Sequence, residues 1–247
     1  MKVLVATPTM WGLAKSAYVG TFLDTVFDLQ ANGIGVRYVL HDGADITLAR
    51  NLLASLFYED ITCTHAFFID SDMQFSGSLC RRLISLDKPV IGAAYARRSL
   101  DLETLRQHWG SDMVFEDALA LAHTYTTRLS SREVSVKDGI CEVDGFGFGA
   151  ALIRRDALET MIARGAARIV HDNAYTSQHG LNRGLYNFFD PMPDASGGAL
   201  AEDWSFCARW KEQCGGQVWA LVDADVGHVG DMRYGQPYFR KLRQGQS

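Results

Sequence analysis

The sequence predicts an α/β protein organised around a mainly parallel sheet, and two observations support this class. Short apolar runs rich in Val, Ile, Leu and Phe alternate, over the first hundred residues, with segments whose apolar residues recur at helical spacing. The 247 residues, of which 47% are apolar, can also bury one sizeable core. Sheets built from βαβ units bind ligands at the carboxyl ends of their strands. We therefore expect one domain over residues 1–247, with its functional residues in the loops after the strands.

The first half of the chain contains four predicted strands and three predicted helices. The strand over 2–7 stops at Pro8, and the helix that starts at Ser16 stops at Asn32-Gly33. Asp45 can cap the second helix, and Ser76 can cap the third, which continues through Leu86. The other predicted elements are strands over 35–40, 66–69 and 89–94 and a helix over 48–58.

The second half is less regular. Residues 100–127 have weak periodicity that places a helix only loosely, and residues 133–143 favour a strand or hairpin. Residues 172–199 are rich in Asn, Gly, Pro, Asp and aromatics, which is typical of a binding loop or lid, and we expect this loop to be mobile. The remaining predicted elements are a glycine-rich loop from Gly145 into a strand that ends at Ile153, helices over 156–164 and 203–213 and a strand over 217–222.

Composition argues against several classes of protein. No apolar stretch approaches the roughly 20 residues that cross a bilayer, and the N-terminus predicts a core strand rather than a secretory signal, so we expect a cytoplasmic protein. The five cysteines include no CxxC pair, which predicts reduced thiols and no cysteine zinc site. A net charge of -5 argues against a large nucleic-acid footprint, and the cluster Arg97-Arg98 is typical of a solvated face.

Two acids stand one residue apart directly after the third predicted strand, in Asp70-Ser71-Asp72. Carboxylates this close repel each other unless protons or a cation neutralise them, and oxygen ligands of this kind suit Mg²⁺ or Mn²⁺. The pattern favours a divalent-cation site that carries a diphosphate. The alternative is that both acids only form the turn or cap that precedes Ser76.

Several ordered segments that span most of the chain resemble glycosyltransferases of the GT-A fold. Thr7-Pro8-Thr9 and Asp42-Gly43-Ala44-Asp45 look like the first two nucleotide-contacting loops of that fold. Further matches are Ala49-Arg50-Asn51, before the strand that leads to Asp70-Ser71-Asp72, the glycine-rich segment from Gly145 to Ala150, and His228 near the end of the chain. Glu202-Asp203-Trp204 is similar to a motif of inverting family 2 enzymes. The resemblance implies a Rossmann-like three-layer sandwich, with a nucleotide-binding half over 1–98 and an acceptor-binding half over 99–247.

A second resemblance leaves the stereochemistry of transfer open. The stretch from Asp45 to Asp72 is similar to yeast mannan-polymerase mannosyltransferases, which retain the configuration at the sugar carbon. The family 2 resemblance around Asp203 implies inversion instead.

The GT-A resemblance implies that Mn²⁺ or Mg²⁺ binds at Asp70, Asp72 and His228. Arg50 is a candidate for stabilising charge on the leaving diphosphate, or alternatively for a salt bridge that orients Asp70 or Asp72. His228 could instead be a hydrogen-bonded residue that only shapes its loop. The predicted contacts to the nucleotide-sugar are Thr7, Pro8, Thr9, Asp42, Arg50, Asp70, Ser71 and Asp72.

The acceptor side is predicted around the start of the helix over 203–213. An inverting displacement needs a carboxylate that removes the proton of the acceptor hydroxyl, and Asp203 suits this role, with Glu202 orienting the acceptor. Alternatively, both acids only favour the N-terminus of the helix. The predicted acceptor contacts are Gly147, Phe148, Gly149, Trp204 and His179, although the glycines with Phe148 could equally form a tight turn with core aromatics, and Trp204 could pack in the core.

The sequence thus predicts a metal-dependent glycosyltransferase that moves a sugar, a hexose with inversion favoured, from a UDP- or GDP-sugar to an acceptor hydroxyl, preferably of a saccharide. A modified nucleic-acid base as acceptor, and a non-catalytic carbohydrate-binding relative, are the alternatives. A nucleotidyltransferase would need a Gly-rich phosphate loop with a basic residue after the first strand, and an oxidoreductase would need GxGxxG there. Residues 7–12 contain neither motif.

Overall fold

An eight-stranded sheet forms the centre of the protein in a computed structural model that describes residues 1–109, 113–131, 134–170, 173–194 and 196–231. The strands are β1 (Lys2–Thr9), β2 (Gly35–Asp42), β3 (His65–Ile69), β4 (Met73–Phe75), β5 (Val90–Ala93), β6 (Ala96–Leu100), β7 (His123–Tyr125), β8 (Arg128–Leu129), β9 (Ile140–Gly145), β10 (Ala150–Arg154), β11 (Ile169–Val170), β12 (Leu185–Tyr186), β13 (Val218–Leu221) and β14 (Val226–His228). The helices are α1 (Ser16–Ala31), α2 (Ile46–Glu59), α3 (Leu79–Ser85), α4 (Leu102–His108), α5 (Phe115–Ala122), α6 (Arg155–Ala163), α7 (Asn173–Gln178) and α8 (Glu202–Cys214).

The order of strands in the central sheet is β2-β1-β3-β10-β5-β13-β9-β8. β2, β1 and β3 pair in parallel, as do β5 and β13. β10 runs antiparallel between β3 and β5, and β9 runs antiparallel between β13 and β8. Only β10 and β9 therefore oppose the common direction of the sheet, and the predicted α/β class with a mainly parallel sheet is confirmed.

Helices cover both faces of this sheet and make three layers. On one face, Phe57 of α2, Met161 of α6 and Phe206 of α8 belong to the larger core cluster. On the other face, Leu29 of α1 and Leu83 of α3 pack in the second cluster. β1 is buried at every position after Lys2, as expected for a strand covered on both faces.

Two predicted element ends differ from the structure. β1 continues through Pro8 to Thr9, because its pairing with β3 ends at Ala6 and proline is tolerated where a strand has one neighbour. α3 begins at Leu79 instead of directly after Ser76, whose hydroxyl accepts a hydrogen bond from the Ser78 amide at 3.4 Å. The Asp45 cap of α2 is confirmed, since its carboxylate accepts from the Leu48 amide at 3.1 Å.

The segment predicted as an irregular loop over 172–199 contains more structure than the sequence indicates. Residues 171, 172 and 195 lie outside the described residues, but α7 and β12 fall inside the segment. Phe188 and Phe189 are fully buried in the larger core cluster. The expected mobility of this segment stays a prediction.

None of the helices in the described ranges is long and apolar enough to span a membrane.

Candidate active site

The Asp70-Ser71-Asp72 segment lies at the carboxyl end of β3, where it turns into β4. Its backbone is tied to two neighbours, because the Asp70 amide donates to the Gly149 carbonyl at 3.1 Å and the Lys15 amide donates to the Ser71 carbonyl at 2.9 Å. Both carboxylates therefore stand at the edge of the sheet where α/β proteins bind ligands.

Arg50 joins the two halves of the candidate site. Its side chain lies in α2 with 3% of its surface exposed, and its Nη2 donates to Asp70 Oδ1 at 3.0 Å. Its Nε donates to Glu202 Oε1, at the start of α8, at 3.2 Å. Burial lowers the pKa of Arg50, but the neighbouring carboxylates of Asp70, Glu202 and Asp203 outweigh burial and raise that pKa above its ordinary value. The guanidinium is therefore charged. The predicted salt bridge to Asp70 is confirmed, and the predicted role at a diphosphate stays a proposal.

One nitrogen of Arg50 is left over in this arrangement. Nη1 is buried and has no hydrogen-bond partner among the described residues. Buried donors without a partner are rare in proteins and costly. The orphaned N–H group therefore calls for a partner that the described residues do not supply, such as a water molecule or an oxygen of a ligand.

Asp72 and His228 form a second polar group beside Asp70. His228 lies in β14, which pairs with β4, and its Nε2 is 3.3 Å from Asp72 Oδ2. Its Nδ1 is 3.1 Å from the Ala96 carbonyl, so both ring nitrogens of His228 face oxygen acceptors. Burial raises the pKa of Asp72, but the hydrogen bond to His228 and the charge of Arg98 outweigh burial and hold that pKa below its ordinary value.

Residues Asp72 and His228 fit two ligands of a Mg²⁺ or Mn²⁺ ion that also carries a diphosphate, because such ions need only one or two protein carboxylates. Asp70 does not complete a three-residue group, since Arg50 holds its carboxylate. Among the described residues, no three His, Cys, Asp or Glu side chains are arranged to hold a metal ion. The predicted ligand set of Asp70, Asp72 and His228 stays a prediction, and Asp72 and His228 are the two members whose side chains lie close together.

Asp203 lies in the first turn of α8, and its Oδ1 accepts from the Trp204 amide at 2.7 Å. Burial, together with the nearby charge of Glu202, raises the pKa of Asp203 to about 6. A carboxylate with this pKa is ionised at neutral pH and still holds a proton better than an ordinary Asp does. These are the properties of a general base.

The glycines before β10 make room for Tyr95. A Cβ on Gly149 would lie 2.8 Å from the Tyr95 hydroxyl, and a Cβ on Gly147 would also collide with that hydroxyl. The Gly149 amide donates to the Tyr95 oxygen at 3.1 Å. The structure thus explains both glycines by protein packing, and their contact with an acceptor stays a prediction.

Three predicted ligand contacts differ from the structure. Phe148 is fully buried against Phe206 and Phe189, so the prediction that it offers a face to an acceptor is wrong. Thr7 is also fully buried, and its hydroxyl accepts from the Tyr18 hydroxyl at 2.8 Å, so its side chain does not reach a nucleotide. The His179 ring lies edge-to-face against His41 of β2, with ring centroids 5.2 Å apart, and so lies on the predicted donor side instead of the acceptor side.

The other predicted contacts range from buried to exposed. Pro8 and Thr9 are buried at the end of β1, whereas Asp42 is exposed at the end of β2 and accepts from the Gly12 amide at 2.8 Å. Asp42 therefore holds the turn after β1. Trp204 is half-buried, and the Arg128 guanidinium lies 4.7 Å from the centre of its ring.

Sequence reasoning missed Arg98. Its Nη1 lies 3.1 Å from Asp72 Oδ2, the same oxygen that His228 approaches. The signal was present, because Arg97-Arg98 follows the carboxyl end of a predicted parallel strand, but a pair of basic residues is more often a solvated face.

We expect Arg50→Ala to lower the free energy of unfolding by about 3–5 kcal/mol, because it leaves the partly buried carboxylates of Asp70 and Glu202 without their cation. Urea unfolding followed by circular dichroism measures this loss. Arg81→Ala is the matched control: its bidentate pair with Asp28 is more exposed to solvent, so its loss should lower the free energy of unfolding much less. Equal losses in the two variants would contradict the role assigned to Arg50.

Comparison with known proteins supports the fold. No protein-family model matches the sequence, and no curated protein does. Among solved structures, the chain is similar to A197 from STIV, with 18% identity and a TM-score of 0.50 over 94% of this chain and 87% of that chain. At this identity the likeness shows the fold alone. The resemblance to mannan-polymerase mannosyltransferases finds no support in the sequence comparisons and stays a hypothesis.

Two further likenesses have TM-scores below 0.5. One is to a Drosophila galactosyltransferase 7 mutant in complex with manganese, UDP-Gal and xylobiose, with 10% identity and a TM-score of 0.44 over 98% of this chain and 79% of that chain. The other is to the inositol-1-phosphate CTP transferase from T. maritima, with 9% identity and a TM-score of 0.42 over 98% and 94%. The function of the present chain therefore has to be argued from its own residues.

Proposed function

We propose that this protein is a metal-dependent glycosyltransferase that transfers a sugar, preferably a hexose, from a UDP- or GDP-sugar to a hydroxyl of a saccharide, with inversion at the sugar carbon. The observation that carries the proposal is a pair of linked salt bridges, in which Arg50 contacts both Asp70 and Glu202. Asp203 follows Glu202 directly in the sequence. This arrangement connects a candidate donor site at the end of β3 to a carboxylate whose pKa of about 6 suits a base.

The residues divide the reaction between them. Asp203 accepts the proton of the acceptor hydroxyl while the oxygen of that hydroxyl bonds to the sugar carbon. The bond from that carbon to the diphosphate breaks, and the diphosphate oxygen keeps the electron pair. Asp72 and His228 would hold the divalent cation, which neutralises charge on the leaving diphosphate when it is bound.

Arg50 adds a second positive charge near the same place. Its Nη1 has no partner among the described residues, so it can donate to an oxygen of the donor without first breaking another hydrogen bond. A donor that is already in position and kept from water stabilises developing charge more strongly than a solvated one.

The test is a thermal-shift panel of UDP, GDP, CDP and ADP, each with and without Mn²⁺ or Mg²⁺. A ligand that binds only the folded state raises its stability by about 2.7 kcal/mol at 100 times its Kd, which corresponds to a shift of several degrees. We expect one diphosphate to raise the Tm only when the metal is present. A panel in which no diphosphate shifts the Tm, with or without metal, would overturn the proposal.

A further inference from the structure

Arg98 forms a salt bridge with Asp72, the carboxylate that the proposed function assigns to a metal ion. Its Nη1 is 3.1 Å from Asp72 Oδ2, and His228 Nε2 is 3.3 Å from the same atom. The Oδ2 atom of Asp72 therefore contacts both the Arg98 guanidinium and His228, the other candidate metal ligand. A divalent cation bound by Asp72 and His228 would be adjacent to the positive charge of Arg98, and like charges at this distance repel.

The structure holds Arg98 through β6 and β14. The His228 ring contacts the Ala96 carbonyl of β6, and the Val229 amide donates to the Asp72 carbonyl at 2.8 Å. The aliphatic part of Arg98 lies on Gly230, where a Cβ would approach its Cδ to 2.9 Å. Asp72 therefore contacts only the guanidinium of Arg98, because the aliphatic part of the side chain packs against Gly230.

Space is available for the guanidinium to move. A cavity of about 810 Å³ adjoins the site, and its walls include Arg98, His228, Tyr125 and Gly230. About half of the Arg98 side chain is already exposed. Leaving Asp72 therefore requires a change of rotamer and no rearrangement of the sheet.

We propose that Arg98 exchanges partners: it neutralises Asp72 without a metal ion, and when a divalent cation takes Asp72 it binds the diphosphate of the donor instead. This inference rests on the proposed function and adds a phosphate-binding residue to it. A diphosphate held by one divalent cation keeps surplus negative charge, and a guanidinium suits phosphate oxygens because it offers several donors in one plane. Arg98 is within reach, since its present partner is a candidate ligand of that metal.

The exchange predicts effects of opposite sign in one variant, Arg98→Ala. Its affinity for Mn²⁺ alone should rise about two- to fivefold, because the metal no longer displaces a cation. Its affinity for UDP or GDP in saturating Mn²⁺ should fall at least about tenfold, because a charged hydrogen-bond donor is lost. Electron paramagnetic resonance of free Mn²⁺ measures the first quantity, and isothermal titration calorimetry measures the second.

Arg97→Ala is the matched control, because it removes the same charge from the neighbouring position of β6 and should change neither affinity. Arg98→Ala protein that loses affinity for both ligands, or keeps both, would overturn the exchange. So would an Arg97→Ala variant that behaves as Arg98→Ala does. Wild-type protein that binds neither Mn²⁺ nor a nucleoside diphosphate overturns the proposed function as well, so the two failures can be told apart.

Discussion

Asp203→Asn protein is expected to bind the donor and the metal as wild type does and to transfer sugar about 10²–10⁴-fold more slowly. The range is the usual contribution of a positioned general base, and an amide cannot accept the proton of the acceptor. The amide oxygen can still accept from the Trp204 amide, so the start of α8 should be preserved. Single-turnover transfer and calorimetric donor binding, measured on the same preparation, separate the two effects.

The pH profile gives an independent check on the same residue. Wild-type transfer should rise with pH, reach half of its maximum near pH 6 and level off about one pH unit higher, as Asp203 loses its proton. Asp203→Asn should lack this rise. Glu212→Gln, in the same helix at an exposed position, is the control and should keep the wild-type profile. A variant at Asp203 with near wild-type transfer would assign the base to another residue.

Asp203 also carries a cost in stability. The pKa of Asp203 is raised in the folded state, from an ordinary 3.8 to about 6, so folding favours its protonated form. The stability that this proton brings is fully present below pH 4 and is lost as the pH rises through 6. Replacing Asp203 with Asn should therefore raise the free energy of unfolding at pH 7.5 by up to about 3 kcal/mol, and by little at pH 4. Chemical denaturation at both values tests this.

Asp72→Ala is expected to abolish the metal-dependent part of donor binding, with a loss of at least about 100-fold in affinity for a nucleoside diphosphate in the presence of Mn²⁺. The reason is that the variant removes one of the two side chains that fit the metal, and even partners of ligands often contribute 10–100-fold. The expected residual affinity is the same with and without metal. Calorimetry with UDP and GDP, in Mn²⁺ and in a chelator, measures both.

Asp225→Ala controls for the loss of a negative charge near the site. Asp225 is exposed, lines the cavity beside His228, and is not among the candidate metal ligands. Its removal should leave metal-dependent binding unchanged. Metal-dependent binding that survives Asp72→Ala would place the metal elsewhere and contradict the candidate site.

Much of the fold could be predicted because it depends on near neighbours along the chain. Apolar spacing placed β1, α1, β2 and α2 within a few residues of their observed ends, and the Asp45 cap is a contact over three residues. The position of Asp70 and Asp72 at a strand end, and of Asp203 at a helix start, follows from the same local patterns.

The contacts that make these residues a candidate site could not be predicted in this way. Arg50 meets Glu202 across 152 residues, and Asp72 meets His228 across 156. The first contact joins helices α2 and α8, which pack in the same core cluster, and the second exists because β14 pairs with β4. Both arrangements depend on how whole elements pack. Phe148 illustrates the same limit: its place beside three glycines suggested an exposed face, whereas helix α8 and Phe189 bury it. Local spacing thus locates the charged groups along the chain, but the free energy of burying distant apolar residues against one another decides which of those groups meet.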